Sequence, residues 1–244
     1  MDRQLLTIEE NKSVTHDTWY MKLSGDCSAI SAPGQFINIR LDGFFLRRPI
    51  SIYDHGDSWV SILYKVLGKG TAAMSKMRPK ETLDVLLPLG NGFDVSLCTG
   101  RTLLAAGGIG MPPMYGIAKE LCARGITPQL ALGFNTEADI LPLQPLEDLG
   151  IHPVIATADG SCGIKGFVTD AMDTLDYDYV CTCGPEPMLK AVYEKMPAGQ
   201  LSFEERMGCG FGACMGCSCK TLTGNKRICK EGPVMESEEI IWAD

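Results

Sequence analysis

Five of the eleven cysteines in this 244-residue chain fall between positions 209 and 229. Cys209, Cys214 and Cys217 follow the spacing C-x4-C-x2-C, and Cys229 comes later in RICKEGPVM. Thiolates at that spacing are the ligand pattern of a plant-type [2Fe–2S] cluster. Gly208, Gly210, Gly212 and Gly216 supply the permissive backbone such a loop needs, and they let backbone N–H groups approach cluster sulfurs. Zinc would favour two C-x2-C pairs or Cys/His pairs, and no histidine follows His152. A redox C-x-x-C pair would expect a strand–helix context rather than a glycine-rich loop. Cys219 reads as a nearby thiol that is not a ligand. Cys27, Cys98, Cys122, Cys162, Cys181 and Cys183 read as small buried hydrophobes.

Two further stretches carry chemistry of another kind. AAGGIGMPPM (105–114) lies where an apolar run turns into a helical pattern, and a glycine turn there admits a pyrophosphate to a helix N-terminus. CGPEPM (183–188) is a second such turn at the end of a later strand, and DGSCGIKG (159–166) follows a third. In a parallel sheet the C-terminal strand ends form one crevice, so these turns can face one ligand. In RRPISIY (47–53), Arg48 can neutralise a pyrophosphate and Ser51 can hydrogen-bond the reactive edge of a flavin ring. Gly68-Lys69-Gly70-Thr71, opening a helix, is a second phosphate turn. The three histidines, His16, His55 and His152, fall in no motif.

The elements that position these residues change character along the chain. The first hundred residues read as short strands with Gly/Pro turns, which suggests a small barrel: 35–41, two strands across 49–66, and 82–93, with one helix over 71–77. From 102 the pattern alternates: strands at 102–108, 128–134, 152–159 and 178–184, helices at 112–125, 141–150, 167–175 and 186–196. That alternation implies a parallel sheet with crossover helices. From Leu201 the rhythm breaks. The expected units are residues 1–97, 98–200 and 201–244. A formal charge of -8 and 45% hydrophobic residues describe an ordinary globular chain and argue against nucleic acid as its main partner. No apolar run reaches the length of a membrane span and MDRQLLTIEENKSV lacks a signal-peptide core, so the expected location is the cytoplasm.

In this order, LRRPISI, GKGT, LPLGNGF, GGIGMPP, CGPEPM, ERMGCGFGACMGC and CKEGP resemble the ferredoxin–NAD(P) reductase superfamily. With the appended cluster loop, the resemblance narrows to the family of electron transfer subunits of type B dihydroorotate dehydrogenase. It covers essentially the whole chain. It implies a β + α/β fold: an FAD-binding β-barrel, a parallel-sheet NAD-binding domain and a small C-terminal [2Fe–2S] domain. It also implies an FAD site from Arg48, Pro49, Ile50, Ser51, Lys65, Val66, Leu67, Gly70 and Thr71. The implied NAD site comprises Gly107, Gly108, Gly110, Asp159, Cys183, Gly184, Pro185 and Met188, and the implied cluster ligands are Cys209, Cys214, Cys217 and Cys229.

The implied role is to carry electrons, without acid–base catalysis of its own, from an FMN-containing catalytic subunit through [2Fe–2S] and FAD to NAD+ in pyrimidine biosynthesis. The implied assembly is a heterotetramer with two copies of each subunit. The α subunits of NADH-dependent ferredoxin:NADP oxidoreductases share the architecture, but an aspartate stands there where this chain has Cys209. A reductase subunit serving ferredoxin, a hydrogenase or polysulfide is the second reading. An iron–sulfur sensor or zinc module, which would bind no flavin, is the third. Glu137 and Asp139, with no arginine in GFNTEADI (133–140), fit NAD over NADP or are solvated loop acids. Met207, Phe211 and Met215 either meet another subunit or shield the cluster within the chain.

Overall fold

The computed structural model describes residues 1–242. Six strands close into an antiparallel barrel: β1 (Asp2–Ser13), β2 (Thr18–Ser24), β3 (Phe36–Arg40), β4 (Arg48–Gly56), β5 (Trp59–Lys65) and β6 (Thr82–Leu89), in spatial order β1-β2-β5-β4-β3-β6. Alternation sets which side chains point inward. In β3, Ile37 and Ile39 are fully buried in the barrel core with Leu6, Met21, Ile62 and Val85, which leaves Phe36 and Asn38 on the outer face. Closure leaves no free sheet edge here. The helix α1 (Lys69–Met74) joins β5 to β6 and drives Met74 into the same core.

The second sheet has seven strands in the order β10-β9-β8-β7-β11-β12-β15: β7 (Thr102–Gly107), β8 (Gln129–Phe134), β9 (Val154–Thr157), β10 (Ile164–Lys165), β11 (Tyr179–Cys183), β12 (Gly199–Ser202) and β15 (Val234–Glu236). Six run parallel, and β15 pairs antiparallel with β12. Thr102 through Ala106 are buried on both faces, as a central parallel strand requires. The helices α2 (Met111–Ala123), α3 (Gln144–Glu147), α4 (Val168–Met172) and α5 (Glu186–Tyr193) cover the sheet. Helix α2 starts on two prolines and ends where Gly125 takes φ +76, with the N–H of Ile126 donating to the carbonyl of Leu121 at 3.0 Å.

Three features depart from the sequence expectation. The helices expected over 141–150 and 167–175 shrink to α3 and α4, since Pro142 and Pro145 confine the first. The first 24 residues form two long barrel strands, whose register is set by pairing with distant β5 and β6. The break expected at 200/201 falls inside β12, and β15 returns to the same sheet, so the C-terminal segment is stitched to the nucleotide-type domain. Its remaining strands, β13 (Ser218–Thr221) and β14 (Gly224–Arg227), form a hairpin. One buried cluster joins all three regions: Phe36 and Leu89 from the barrel, Leu189 from α5 and Leu201 from β12 of the second sheet, and Cys217, Ile228, Cys229 and Met235 from the C-terminal segment.

Candidate functional site

The four spaced cysteines come together as two pairs in different surroundings. Cys217 and Cys229 are each 2% exposed, and their Sγ atoms lie 3.2 Å apart. Burial pushes the Cys229 thiol up to about 12, with Cys217 adding to the shift. Cys214 is exposed and Cys209 half-buried. Around the Cys209 Sγ, the N–H groups of Ala213, Cys214 and Phe211 donate at 3.2, 3.4 and 3.5 Å, while the Cys209 N–H donates to the Cys214 Sγ at 3.4 Å. Burial raises the Cys209 thiol, but these N–H donors outweigh it and hold the group down at about 6.

Glycines at positive φ, Gly210 at +79 and Gly212 at +89, turn the chain so that those amides face sulfur. Arg227 fastens the turn by donating to the Gly212 carbonyl at 2.6 Å, and Glu231 accepts from the Arg227 Nε at 2.8 Å. Four thiolate donors in two pairs, with N–H groups aimed at sulfur, suit an iron–sulfur cluster, which needs two ligands for each iron and hydrogen bonds to its sulfurs. Cys219 sits on β13, half-buried, beside a cavity of about 310 Å³. Met207 packs into the shared core, whereas Phe211 (43% exposed) and Met215 (53%) face outward.

The barrel residues expected to hold a flavin fall on both sides of β4. Ile50 pairs with Ile37 toward the barrel core, and Ser51 pairs with Phe36 on the outer face. Arg48 lies at the strand's start, with its guanidinium 4.9 Å from the Phe44 ring and bonded to the Arg47 carbonyl at 3.3 Å. A Cβ at Gly70 would collide with that guanidinium, so the Arg48 side chain and the start of α1 share one place. Thr71 Oγ1 accepts from the N–H groups of Leu67 and Gly68 at 3.1 and 3.3 Å, which shapes the turn before α1. Pro49 faces Asn38 across the strands. The ammonium of Lys65 is occupied, 2.8 Å from Asp17, and Val66 donates its N–H to the Asp17 carbonyl at 2.8 Å; Leu67 is 80% exposed. The arrangement fits a flavin pyrophosphate at Arg48 and Gly70 and a ring near Ser51.

The glycine turns interlock at the C-terminal ends of β7 and β11. A Cβ at Gly184 would lie 2.5 Å from the Met188 sulfur and 3.2 Å from the Gly107 nitrogen, and one at Gly110 would strike the Cys183 carbonyl. Only glycine permits so close an approach of two turns. Gly108, at φ +51, has open space around it, as a bound phosphate would require. Pro185 also packs on Gly107. Asp159 lies along the same edge two strands away, after β9, and its carboxylate already accepts from the Ser161 N–H (2.9 Å) and Oγ (2.6 Å). Cys183 is 3% exposed, and burial, with the Glu204 charge second, pushes its thiol up to about 12. The Ser161 Oγ also accepts from the Glu137 N–H at 2.7 Å, tying the two loops together.

Three contributors escaped the sequence reading. Glu204, whose carboxyl desolvation pushes up, stands just past β12 beside Cys183. Phe36 and Asn38 place the outer face of β3 against the cysteine segment: Phe36 in the shared core, Asn38 through a hydrogen bond from its Nδ2 to the Cys209 carbonyl at 3.3 Å. The one available signal was a polar residue at the outward position of F-I-N-I-R. Asn38 Oδ1 is buried with no partner among the described residues, and the residue pairs with Pro49 across β3 and β4.

Comparison with known proteins decides among the readings that this geometry permits. Residues 204–241 match the model of the iron–sulfur cluster binding domain of dihydroorotate dehydrogenase B. The chain is similar to the dihydroorotate dehydrogenase B (NAD(+)) electron transfer subunit of Geobacillus sp. (strain WCH70), 39% identical over 99% of each chain. A second such subunit, from Fusobacterium nucleatum, is 41% identical over 96% of each. The chain belongs to this family of dihydroorotate dehydrogenase B electron transfer subunits. Among solved structures, an NADH-dependent reduced ferredoxin–NADP oxidoreductase superposes with a TM-score of 0.87 at 28% identity, covering 98% of this chain and 90% of that one. That superposition spans the barrel, the nucleotide-type sheet and the cysteine segment of this chain. Among the described residues, no helix is long and apolar enough to cross a membrane.

Proposed function

We propose that the chain is the electron transfer subunit of a type B dihydroorotate dehydrogenase. It takes electrons from an FMN-containing catalytic partner, which oxidises dihydroorotate, and delivers them to NAD+. The carrying observation is the convergence on β3: Phe36 pairs with Ser51 of the flavin strand on one side and packs with Cys217 and Cys229 on the other. Family membership and the NAD(+) in its relatives' names support the choice of acceptor.

When bound, an iron–sulfur cluster exchanges single electrons, a nicotinamide exchanges a hydride, and a flavin does both. The chain's residues supply position and electrostatics. Cys209, Cys214, Cys217 and Cys229 are the metal ligands; amides of 211, 213 and 214 stabilise sulfur charge. Arg48 and the Gly70–Thr71 turn take the flavin pyrophosphate, and Ser51 with Pro49 and Ile50 lies along the ring. Gly107, Gly108, Gly110, Gly184, Pro185 and Met188 form the nucleotide turn pair; Asp159 borders it, and Cys183 sits at its floor. The surrounding apolar cluster excludes water from the buried half of the metal site. The exposed Phe211 and Met215 flank the ligands on the solvent side and form the face offered to the partner, in a heterotetramer with two copies of each subunit.

Purification of the chain with its native partners tests this reading. The expected complex contains an FMN protein, FAD and iron, and reduces NAD+ when given dihydroorotate. The isolated, fully loaded chain should reduce an artificial acceptor with NADH. A complex without FMN that instead exchanges electrons with ferredoxin would contradict the reading and favour the reductase resemblance, which rests on the 0.87 TM-score superposition.

A further inference from the structure

Asn38 is an unusual residue to keep in its place. It is 1% exposed, on the outer face of β3, opposite Pro49 of the flavin strand. Only its amide nitrogen can face a carbonyl oxygen, so the Nδ2 contact to the Cys209 carbonyl fixes the side chain's orientation. That orientation leaves Oδ1 buried and without a partner among the described residues. A buried unpaired acceptor destabilises a fold, and leucine, of similar size and no polarity, would remove the defect. The loop is shaped to accept the contact: Gly210, at φ +79, has the Asn38 amide where a Cβ would be. The neighbouring Arg47 holds β3 from the other side, donating to the Asn38 carbonyl at 3.3 Å and to Asp84 Oδ1 at 2.7 Å. A stability cost kept at a contact between a metal-ligand loop and the flavin strand is the mark of a functional constraint.

We propose that Asn38 is a positioning residue for electron exchange, a strap that fixes the Cys209 half of the cluster loop at its working distance from the flavin strand. It touches neither hydride transfer nor nucleotide binding. Reduction by NADH therefore divides into two phases, and Asn38 controls only the second. In the first, hydride passes from NADH to the flavin. In the second, with both groups bound, one of those two electrons would pass to the cluster while the other stays on the flavin.

The test uses the full chain loaded with FAD and cluster, in stopped-flow and freeze-quench form, with Asn38→Leu, Gly210→Ala and the double variant. Flavin bleaching by NADH should keep its wild-type rate in all three. Cluster reduction should slow by several-fold in each single variant, because the rate of electron exchange falls steeply with the separation of the two centres. The double variant should be no slower than either single one, since both break the same contact. In the apoprotein, Asn38→Leu should melt no lower than wild type while the amides of 210–213 exchange faster with deuterium. Wild-type cluster reduction in Asn38→Leu, or effects that multiply in the double variant, would overturn the proposal. It rests on the flavin and cluster assignments above. Wild-type protein that takes up no flavin or no iron would defeat those assignments, whereas a loaded wild type with unaffected variants defeats this proposal alone.

Discussion

The two cysteine pairs are built on opposite physical terms. Cys217 and Cys229 stand in an apolar core made by three regions of the chain, where burial outweighs the one backbone amide, that of Gly212, that bears on the Cys229 sulfur. Cys209 and Cys214 stand in an open glycine loop where four backbone N–H donations reach their sulfurs. The first pair is held by packing and the second by hydrogen bonding. As ligands, the same four cysteines would give one metal site an apolar, buried half and a polar half that meets solvent or a partner, and the polar half would be the one that tunes charge.

The largest expected difference between the halves is in stability. Serine at any of the four positions should cost iron. Cys217→Ser or Cys229→Ser should in addition destabilise the apoprotein by about 1–3 kcal/mol, because a hydroxyl without a partner replaces a thiol in an apolar core. For a chain of this size that lowers the melting temperature by roughly 2–4 °C per kcal/mol. Cys209→Ser and Cys214→Ser should leave the apoprotein melt close to wild type. Calorimetry of the four apoproteins checks this, and equal losses in both halves would erase the distinction.

Phe36→Ala probes the dry half from the barrel. Removing a buried phenylalanine costs about 3–5 kcal/mol. Because Phe36 lies between Ser51 and the buried pair, flavin retention and iron retention should fall together. Loss of one without the other, measured by flavin fluorescence and iron analysis, would separate the two sites.

Chemical labelling sharpens the contrast further. In apoprotein treated briefly with iodoacetamide at pH 7, Cys209 and Cys214 should be modified and Cys217 and Cys229 spared. The Cys209 thiol is held down at about 6, so its thiolate is present above that value and its labelling should fall as the pH drops through 6. Cys229, pushed up to about 12 by burial, should stay silent until the protein is denatured. Mass spectrometry of the labelled peptides reads the outcome. The smallest effect is expected from Cys219→Ser, which should keep full iron content.

Much of this was legible in the sequence because it rests on local rules. The C-x4-C-x2-C spacing, the glycine turns of 107–110 and 183–185, and the alternation of 102–193 all depend on neighbours within a few residues. What was not legible depends on distant pairing. The register of β1 is set by β6, some eighty residues away, and β15 pairs with β12 across the intervening cysteine hairpin. The role of Phe36 and Asn38 appears only when β3 is seen against the C-terminal segment. Asn38 looked like any outward strand residue, and nothing near it in the sequence points to Cys209. The Lys65 ammonium likewise pairs with Asp17, in the turn before β2, a contact that nothing near Lys65 in the sequence announces.

Iron, acid-labile sulfide and flavin per chain, measured together on anaerobically purified protein, test the central claim most directly. The account predicts two iron atoms, two sulfides and one FAD per chain, with the metal and sulfide lost on serine substitution of Cys209, Cys214, Cys217 or Cys229. Zinc without sulfide, or full iron retained in Cys214→Ser and Cys229→Ser together, would contradict it.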